Sequence, residues 1–310
     1  FASEEQSSAS PAIVFINSTV GYVFYISHIG DEPRYRKTTD GGRTWISQVD
    51  LANDHNWYDV AVWYDQWTPG NTTGTRVHIV AYNTVSDRNI SYKQLDTSSD
   101  ALSPAGVDWT PVAPVPGIST GDLTPSITMA TDGTLYIYYC AGAGSLCNVT
   151  NSTDGTTWQN TGLGNHVNLT GADAGQIFPL SGGDVLLVGN DFGERNLSSK
   201  VYDRATGSWD SSWKTIDATF EGASSFASIE TAFGGSLAKQ TGDVYFAGVN
   251  KTNIGGLGKV QVFKFSDSSR TWSNLTTPYV DSTGSESVHA IIAVNQNTSD
   301  LYTIMINSSS

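Results

Sequence analysis

Thr38-Thr39-Asp40-Gly41-Gly42-Arg43-Thr44-Trp45 is the segment that decides how this chain folds. Its aspartate can accept backbone N–H groups within a tight turn, its glycines can adopt positive φ, and its tryptophan can pack between sheets. The segment Ser152-Thr153-Asp154-Gly155-Thr156-Thr157-Trp158 repeats it one residue shorter. Ser266-Asp267-Ser268-Ser269-Arg270-Thr271-Trp272 keeps Asp, Thr and Trp without the glycine, and Asp203–Trp209 is a more distant copy. The same type of hairpin turn is therefore predicted at several positions along the chain.

Short runs of β-branched and aromatic residues recur between these turns, and 3.6-residue periodicity is almost absent. The predicted strands form sets at 13–16, 22–27, 34–38 and 44–49; 59–64, 76–82, 90–95 and near 109–112; 126–130, 134–140, 147–151 and 157–159; 176–179, 185–189, 198–202 and 213–216; 228–231, 243–249, 259–265 and 271–275; and 288–294 with 301–306. A tryptophan marks the fourth strand of each full set: Trp45, Trp109, Trp158, Trp213 and Trp272.

Four-strand units repeating every ~50 to 60 residues predict an all-β fold, a β-propeller of six four-stranded antiparallel blades with an incomplete last blade. A two-sheet sandwich would show continuous alternation rather than this unit. We expect residues 1–11 to be a polar N-terminal arm, 12–306 a single propeller domain, and 307–310 a polar tail.

The repeated turn resembles the Asp-box of the sialidase-like (BNR-repeat) β-propeller superfamily. The matching positions are Thr38, Asp40, Gly42, Thr44 and Trp45, then Asp154, Gly155 and Trp158, then Asp267 and Trp272. The resemblance implies a propeller in which these turns lie on the blade periphery. Because Asp-boxes are structural turns in that superfamily, the resemblance predicts the fold and gives little information about catalysis.

Sialidases of that superfamily clamp the substrate carboxylate with three arginines and use an Asp and a Tyr–Glu pair for catalysis. This chain lacks the Arg-Ile-Pro motif that usually carries the first arginine, and its eight arginines are Arg34, Arg36, Arg43, Arg76, Arg88, Arg195, Arg204 and Arg270. The remaining candidates for a catalytic face are Glu230 and the pair Tyr64 and Asp65. We therefore expect a protein without catalytic residues, with a sialidase-like hydrolase as the second alternative.

The densest aromatic cluster lies between residues 57 and 67. Its rings could stack on sugars while its carboxylates accept hydroxyl hydrogens, as in a lectin-like propeller. The structural interpretation is that alternating residues fill the layers between blades. The candidate glycan-binding residues are Trp57, Tyr58, Trp63, Tyr64, Asp65 and Trp67.

Other ligand classes receive little support. The five histidines are scattered without metal-ligand spacing, and for His78 and His289, in predicted strands, a hydrogen-bonded structural role is favoured. The Asp96–Asp100 turn offers oxygen ligands for Ca²⁺, with a solvated hairpin loop as the favoured alternative. A net charge of −14 without a basic run argues against nucleic acid, and no apolar stretch reaches membrane-spanning length. No cofactor is required.

Two features predict a secreted glycoprotein. Cys140 and Cys147 suit neighbouring strands of a hairpin, and we expect a disulfide between them, with two buried thiols as the alternative. Of 19 asparagines, 11 lie in Asn-x-Ser/Thr sequons, where composition alone would give about 4. These acceptors, expected in turns or on outer strands, are Asn17, Asn71, Asn89, Asn148, Asn151, Asn168, Asn196, Asn250, Asn274, Asn297 and Asn307.

The last set supplies only two strands, 288–294 and 301–306, and so leaves an edge. Exposed strand edges pair with other chains unless they are blocked. We expect this edge to be covered by a neighbouring protomer, whose N-terminal arm would build a filament, by sequence beyond residue 310, or by residues 1–11 of the same chain. The expected function is a non-catalytic, extracellular surface, adhesion or assembly protein, with a lectin-like propeller as the first alternative.

Overall fold

The structure is a computed structural model of the 310-residue chain. It describes residues 12–27, 30–53, 57–83, 89–114, 125–140, 147–163, 174–191, 196–217, 233–252, 257–280, 287–296, 298 and 300–308.

Antiparallel sheets follow one another along the chain, and each is a blade of a β-propeller. Blade 1 contains β1 Ile13–Phe15, β2 Gly21–Ile26, β3 Pro33–Thr38 and β4 Val49–Asp50; blade 2 contains β5 Trp57–Tyr64, β6 Arg76–Asn83, β7 Asn89–Asp96, β8 Ala101–Ser103 and β9 Thr110–Pro114; blade 3 contains β10 Ser126–Met129, β11 Leu135–Cys140, β12 Cys147–Ser152 and β13 Gln159–Asn160; blade 4 contains β14 Ala174–Pro179, β15 Val185–Asp191, β16 Asn196–Asp203, β17 Ser208–Trp209 and β18 Lys214–Asp217; blade 5 contains β19 Phe233–Ala238, β20 Asp243–Thr252, β21 Leu257–Ser266 and β22 Thr271–Val280; blade 6 contains β23 Ser287–Val294 and β24 Leu301–Ser308. The propeller prediction is confirmed.

The outer strands of blades 2 and 4 differ from the prediction. The predicted fourth strand near 109–112 is a fifth strand, β9, while the three-residue β8 pairs with the other end of β7. In blade 4, β17 and β18 share β16 in the same way. A single ten-residue strand, β22, spans the equivalent length of blade 5. Trp109 and Trp213 indicate one of the two short outer strands in each of these blades, β9 and β18. The other outer strands, β8 and β17, were not predicted. In addition, β24 extends to Ser308 and takes up two residues that were predicted as tail.

The hairpin turns are built as their sequences predict. Asp40 accepts the Thr44 N–H at 2.9 Å and the Thr44 hydroxyl at 2.6 Å. Asp154 accepts the N–H groups of Thr156 and Thr157 at 2.8 and 2.7 Å. The hydrogen bonds from Thr44 lower the pKa of Asp40 to about 2, so this carboxylate is ionised at physiological pH.

The glycine-free copy of the turn makes a different contact. The Asp267 carboxylate is buried and accepts the backbone N–H of Ser181, which precedes β15, at 3.1 Å. Arg270 donates to the Ser181 carbonyl at 3.1 Å and to Asp184 at 3.0 Å. This turn therefore joins blade 5 to blade 4.

Tryptophans at the blade peripheries contact the preceding blade. The indole N–H of Trp109 donates to the Leu51 carbonyl of the blade 1 segment at 2.8 Å. Trp209 donates to the Thr161 hydroxyl next to blade 3 at 3.0 Å, and Trp272 donates to Ser199 of blade 4 at 2.9 Å. These contacts give the repeated tryptophan a role in fixing one blade on the next.

A lysine is buried beside the first of these tryptophans. Lys93 on β7 is 0% exposed, donates to the Asp108 carbonyl, and lies over the Trp109 ring at 5.4 Å. Burial lowers the pKa of Lys93 to about 8, while the nearby Asp108 acts in the opposite direction. Lys200 of blade 4 repeats the arrangement over Trp213 at 5.8 Å, with a pKa also lowered by burial.

The apolar core consists of layers between successive blades. One cluster joins blade 1 to blade 2, a second runs from blade 2 through blade 5, a third joins blades 3 and 4, and a fourth joins blades 5 and 6. Among the described residues, no such cluster joins blade 6 back to blade 1. Within that same part of the chain, no helix is long and apolar enough to cross a membrane.

Candidate functional site

A polar cleft of about 680 Å³ lies between blades 2 and 3. It opens on the rim that carries the β5–β6 and β10–β11 connections and the Asp154 turn between β12 and β13.

Asp65 starts the inner wall of the cleft. It follows β5 directly, at the beginning of a short 3₁₀ turn, Asp65–Trp67. One carboxylate oxygen accepts the Arg76 backbone N–H at 2.9 Å and the other contacts His78 Nε2 at 2.8 Å. Gly74 is required here, because a Cβ at that position would lie 2.2 Å from the Asp65 Cβ.

His78 connects Asp65 to Tyr92 on the neighbouring strand. The Nδ1 atom of His78 lies 2.6 Å from the Tyr92 hydroxyl, and the two rings stack with centroids 5.9 Å apart. Strand alternation on β6 and β7 turns Arg76, His78, Tyr92 and Gln94 toward this cleft. The three-residue chain is buried: Asp65, His78 and Tyr92 are 7%, 4% and 3% exposed.

The ionisation of this chain follows from its surroundings. Burial opposes the charge on Asp65, but the hydrogen bond and charge of His78 and the Arg76 N–H lower its pKa below the usual value. Burial raises the pKa of Tyr92, so the phenol keeps its proton. The His78 ring therefore joins the protonated phenol at Nδ1 to the Asp65 carboxylate at Nε2.

Blade 3 closes the back of the cleft against Tyr92. Trp158 packs on Tyr92 edge to face at 5.3 Å, and a Cβ on Gly155 would lie 2.9 Å from the Tyr92 ring. The Thr68 hydroxyl accepts from the Trp63 indole at 3.0 Å and donates to the Met129 carbonyl at 2.8 Å. Blades 2 and 3 are thus fixed relative to each other on both sides of the cleft.

Hydroxyl, amide, carboxylate and guanidinium groups line the open part of the cleft. Arg76 and Asp154 are exposed, and Asn71 holds the loop because its side-chain oxygen accepts the Gly74 N–H at 2.9 Å. Asp132 is paired with Arg204 at 2.9 Å. Such a surface can exchange hydrogen bonds with a hydroxyl-rich ligand. The further lining groups are Thr72, Thr73, Gln94, Thr131 and Thr153.

The candidate glycan-binding aromatics lie mostly in the core. Trp57, Trp63 and Tyr64 are 4–5% exposed and pack in the layers between blades, which leaves no ring face for a sugar. Trp67 is half-buried against the same layers, and the side chain of Tyr58 lies outside the described residues. Of the members of this group whose side chains the structure describes, only Asp65 lines the cleft.

The described arginines are distributed over separate blades. Arg34 pairs with Glu32 and Asp50 at 2.7 Å each in blade 1, and Arg270 pairs with Asp184 across blades 4 and 5. Arg88, Arg195 and Glu230 lie outside the described residues. In the Asp96–Asp100 turn, Asp100 accepts from Tyr22 and Lys37 at 2.6 Å each. Within the described ranges, no three His, Cys, Asp or Glu side chains are grouped as metal ligands.

The residues from which we predict a secreted glycoprotein lie at the surface and in one hairpin. Cys140 and Cys147 are opposite each other on β11 and β12, and Cys147 is disulfide-bonded. Among the acceptor asparagines, Asn17 and Asn274 are exposed. Asn71, Asn89, Asn148 and Asn151 are partly exposed, and the side chains of the other five lie outside the described residues.

The sixth blade presents the second candidate site, an unpaired edge. No described strand pairs with the outer side of β24, and Leu301 and Tyr302 at its start are 37% and 53% exposed. On blade 1, Ile13 and Phe15 of β1 are likewise 52% and 44% exposed. The closure of blade 6 by residues 1–11 falls outside the described residues.

No family model and no curated protein matches the chain. Among solved structures it is similar to an ulvan lyase, with TM-score 0.55, 12% identity, and coverage of 99% of this chain and 81% of the other. It is also similar to the NanB sialidase of Streptococcus pneumoniae, with TM-score 0.58, 8% identity and coverage of 98% and 66%. For an α-L-arabinofuranosidase of Fusarium graminearum the values are 0.51, 12%, 95% and 86%. The chain therefore has a sialidase-like, propeller-type fold.

Proposed function

We propose that this protein is a non-catalytic, extracellular assembly protein whose sixth blade is completed by another polypeptide. The edge of β24 carries this proposal. It is eight residues long, Leu-Tyr-Thr-Ile-Met-Ile-Asn-Ser, without a charge, a proline or a glycine. Such an edge is a template for strand addition.

The other blades protect their outer edges. In blades 1 to 4 the outermost strands have two to five residues, and β9 contains two prolines while β18 carries Lys214 and Asp217. The ten-residue β22 of blade 5 contains Pro278. Short length, charge and proline are the devices that keep edges from pairing. Their absence from β24 supports a pairing role for this edge.

Light scattering coupled to size exclusion tests the proposal on the secreted, glycosylated chain. We expect a mass above that of one chain, and we expect Thr303→Pro to reduce it to one chain while Thr303→Val does not. The proline removes an edge N–H, and the valine keeps it. A wild-type protein that stays monomeric at every concentration would refute the assembly function.

The cleft supports a second candidate function, the binding of a neutral, hydroxyl-rich saccharide. Its open surface consists of polar groups around the buried Asp65–His78–Tyr92 chain. The similar solved structures include an ulvan lyase, a sialidase and an arabinofuranosidase, all named for action on carbohydrates. The two-turn match also supports placing the chain in the Asp-box branch of sialidase-like propellers.

Binding to a panel of purified neutral and uronic-acid polysaccharides tests this second function. Arg76→Ala should weaken binding about tenfold, because a charged hydrogen-bond donor contributes about 1.5 kcal/mol. Arg43→Ala, which removes an exposed arginine of the Thr38–Trp45 turn outside the cleft, is the matched control. Equal binding by both variants would place the saccharide elsewhere.

A further inference from the structure

We infer that the strand completing blade 6 is β24 of a second copy of this chain, in an antiparallel pair about a two-fold axis at Ile304. This inference rests on the assembly function proposed above and names the partner. It requires an edge whose backbone groups match a copy of themselves, a strand number that suits a blade, and a surface that two acidic molecules can share.

The backbone groups on the edge follow from the hairpin. The Asn295 N–H donates to the Asp300 carbonyl at 2.8 Å, so these two residues direct their bonding groups at each other. In an antiparallel ladder, bonded pairs alternate with non-bonded pairs. The next pairs are Val294 with Leu301 and Ala293 with Tyr302. Counting along β24, the N–H and C=O groups that point away from β23 belong to Leu301, Thr303, Met305 and Asn307.

These outward positions are symmetric about Ile304. An antiparallel two-fold pair centred there places Leu301 opposite Asn307 of the second copy, and Thr303 opposite Met305 of the second copy. Every outward N–H and C=O of one edge then meets a partner on the other. Ile304 faces its own copy as a non-bonded pair.

The strand count agrees with this pairing. Among the described residues, blades 1, 3 and 5 each contain four strands, and blade 6 contains two, β23 and β24. Two copies of that hairpin joined at β24 give the order β23-β24-β24-β23, a four-stranded sheet. The contact is isologous, so it closes as a dimer and gives no filament.

Charge favours the same surface. The chain carries a net charge of −14, which opposes close approach of two copies in general. Between Ser287 and Ser308 the only acidic residue is Asp300 in the hairpin turn, and there is no Lys or Arg. Blade 6 is thus a charge-poor part of an acidic molecule, and its edge needs no oppositely charged partner.

A cysteine at the symmetry axis gives a direct test on the 310-residue chain. Cα atoms of a non-bonded antiparallel pair lie about 4.5 Å apart, within the range a disulfide tolerates. We expect Ile304→Cys to form a covalent dimer under mild oxidation, released by reductant. Tyr302→Cys is the control, because its two thiols would lie roughly 14 Å apart along the strands although the position is more than half exposed.

The outcomes separate this inference from the assembly function. A discrete dimer, lost in Thr303→Pro and cross-linked through Ile304→Cys alone, supports both. An assembly that Thr303→Pro disrupts without any Ile304 cross-link, or one that grows into open polymers, overturns the two-fold pairing and leaves the assembly function standing. A monomer at every concentration overturns both. If Thr303→Pro fails to fold, disulfide formation in Ile304→Cys compared with Tyr302→Cys still tests the two-fold pairing.

Discussion

The buried amine of Lys93 makes the stability of this propeller depend on alkaline pH, and Lys93→Met is the perturbation that reveals it. Below pH 8 the amine is protonated in both the folded and the unfolded chain, and its burial beneath Trp109 opposes folding. As pH rises from about 8 to about 10.5, the folded protein releases this proton first and the unfolded chain binds more protons. The free energy of unfolding should therefore rise through this window relative to Lys93→Met.

The magnitude follows from the two pKa values. The fall from 10.5 to about 8, at about 1.4 kcal/mol for each tenfold change, corresponds to about 3 kcal/mol. Urea unfolding at a series of pH values from 7 to 10.5 measures it as a difference between wild type and variant, so that contributions from tyrosines cancel. Met also loses the hydrogen bond to Asp108, which changes the offset but not the slope.

Lys214→Met, at an exposed lysine, is the control for replacing a lysine by methionine. A difference in the free energy of unfolding between wild type and Lys93→Met that does not change with pH would refute the reasoning. It would mean that the Lys93 amine reaches water in the folded protein and titrates as it does in the unfolded chain.

Three further predictions concern the turns and the glycans. Gly155→Ala should lower the free energy of unfolding by about 2 to 4 kcal/mol, because the alanine would have a positive φ and its Cβ would contact Tyr92. Gly70 also has a positive φ but has open space around it, so Gly70→Ala should lower the free energy of unfolding by about 1 to 2 kcal/mol. Equal losses for the two variants would contradict the contact with Tyr92. The stabilisation that Asp40 gives above pH 4 is lost as pH falls through about 2, so the melting temperatures of wild type and Asp40→Asn should converge there; a constant gap would contradict the turn geometry. Peptide mapping of the secreted protein should find glycans on Asn17 and Asn274 and an unmodified Asn307 in the assembled form, and an intact mass equal to the bare chain would remove the glycoprotein prediction.

The sequence predicts the propeller because the residues that form each hairpin turn are close together in the chain. Asp40 and Asp154 each accept hydrogen bonds from backbone N–H groups only two to four residues away, so the turn can be recognised without knowing the tertiary structure. The division of an outer strand into β8 and β9 has no such local sign, because both halves are defined only by where they meet β7.

The cleft is harder to predict than the fold. Asp65, His78 and Tyr92 are 13 and 14 residues apart, and only the register of β5, β6 and β7 brings them together. The sequence favours a hydrogen-bonded structural role for His78, and its contacts with Tyr92 and Asp65 agree with that prediction. The alternation Arg76-x-His78 and Tyr92-x-Gln94 on consecutive strands is the signal that could have indicated a shared polar face.

One residue of the sixth blade, Asn307, bears on both the predicted glycosylation and the predicted strand pairing. Asn307 is both a sequon asparagine and one of the outward bonding positions of β24. A glycan is bulky, and in the two-fold pair this position lies opposite Leu301 of the second copy, so a modified Asn307 would oppose pairing at both ends of the composite sheet. We therefore expect Asn307 to carry no glycan in the paired form. Asn307→Gln, which removes the sequon and keeps the edge N–H, should pair as the wild type does.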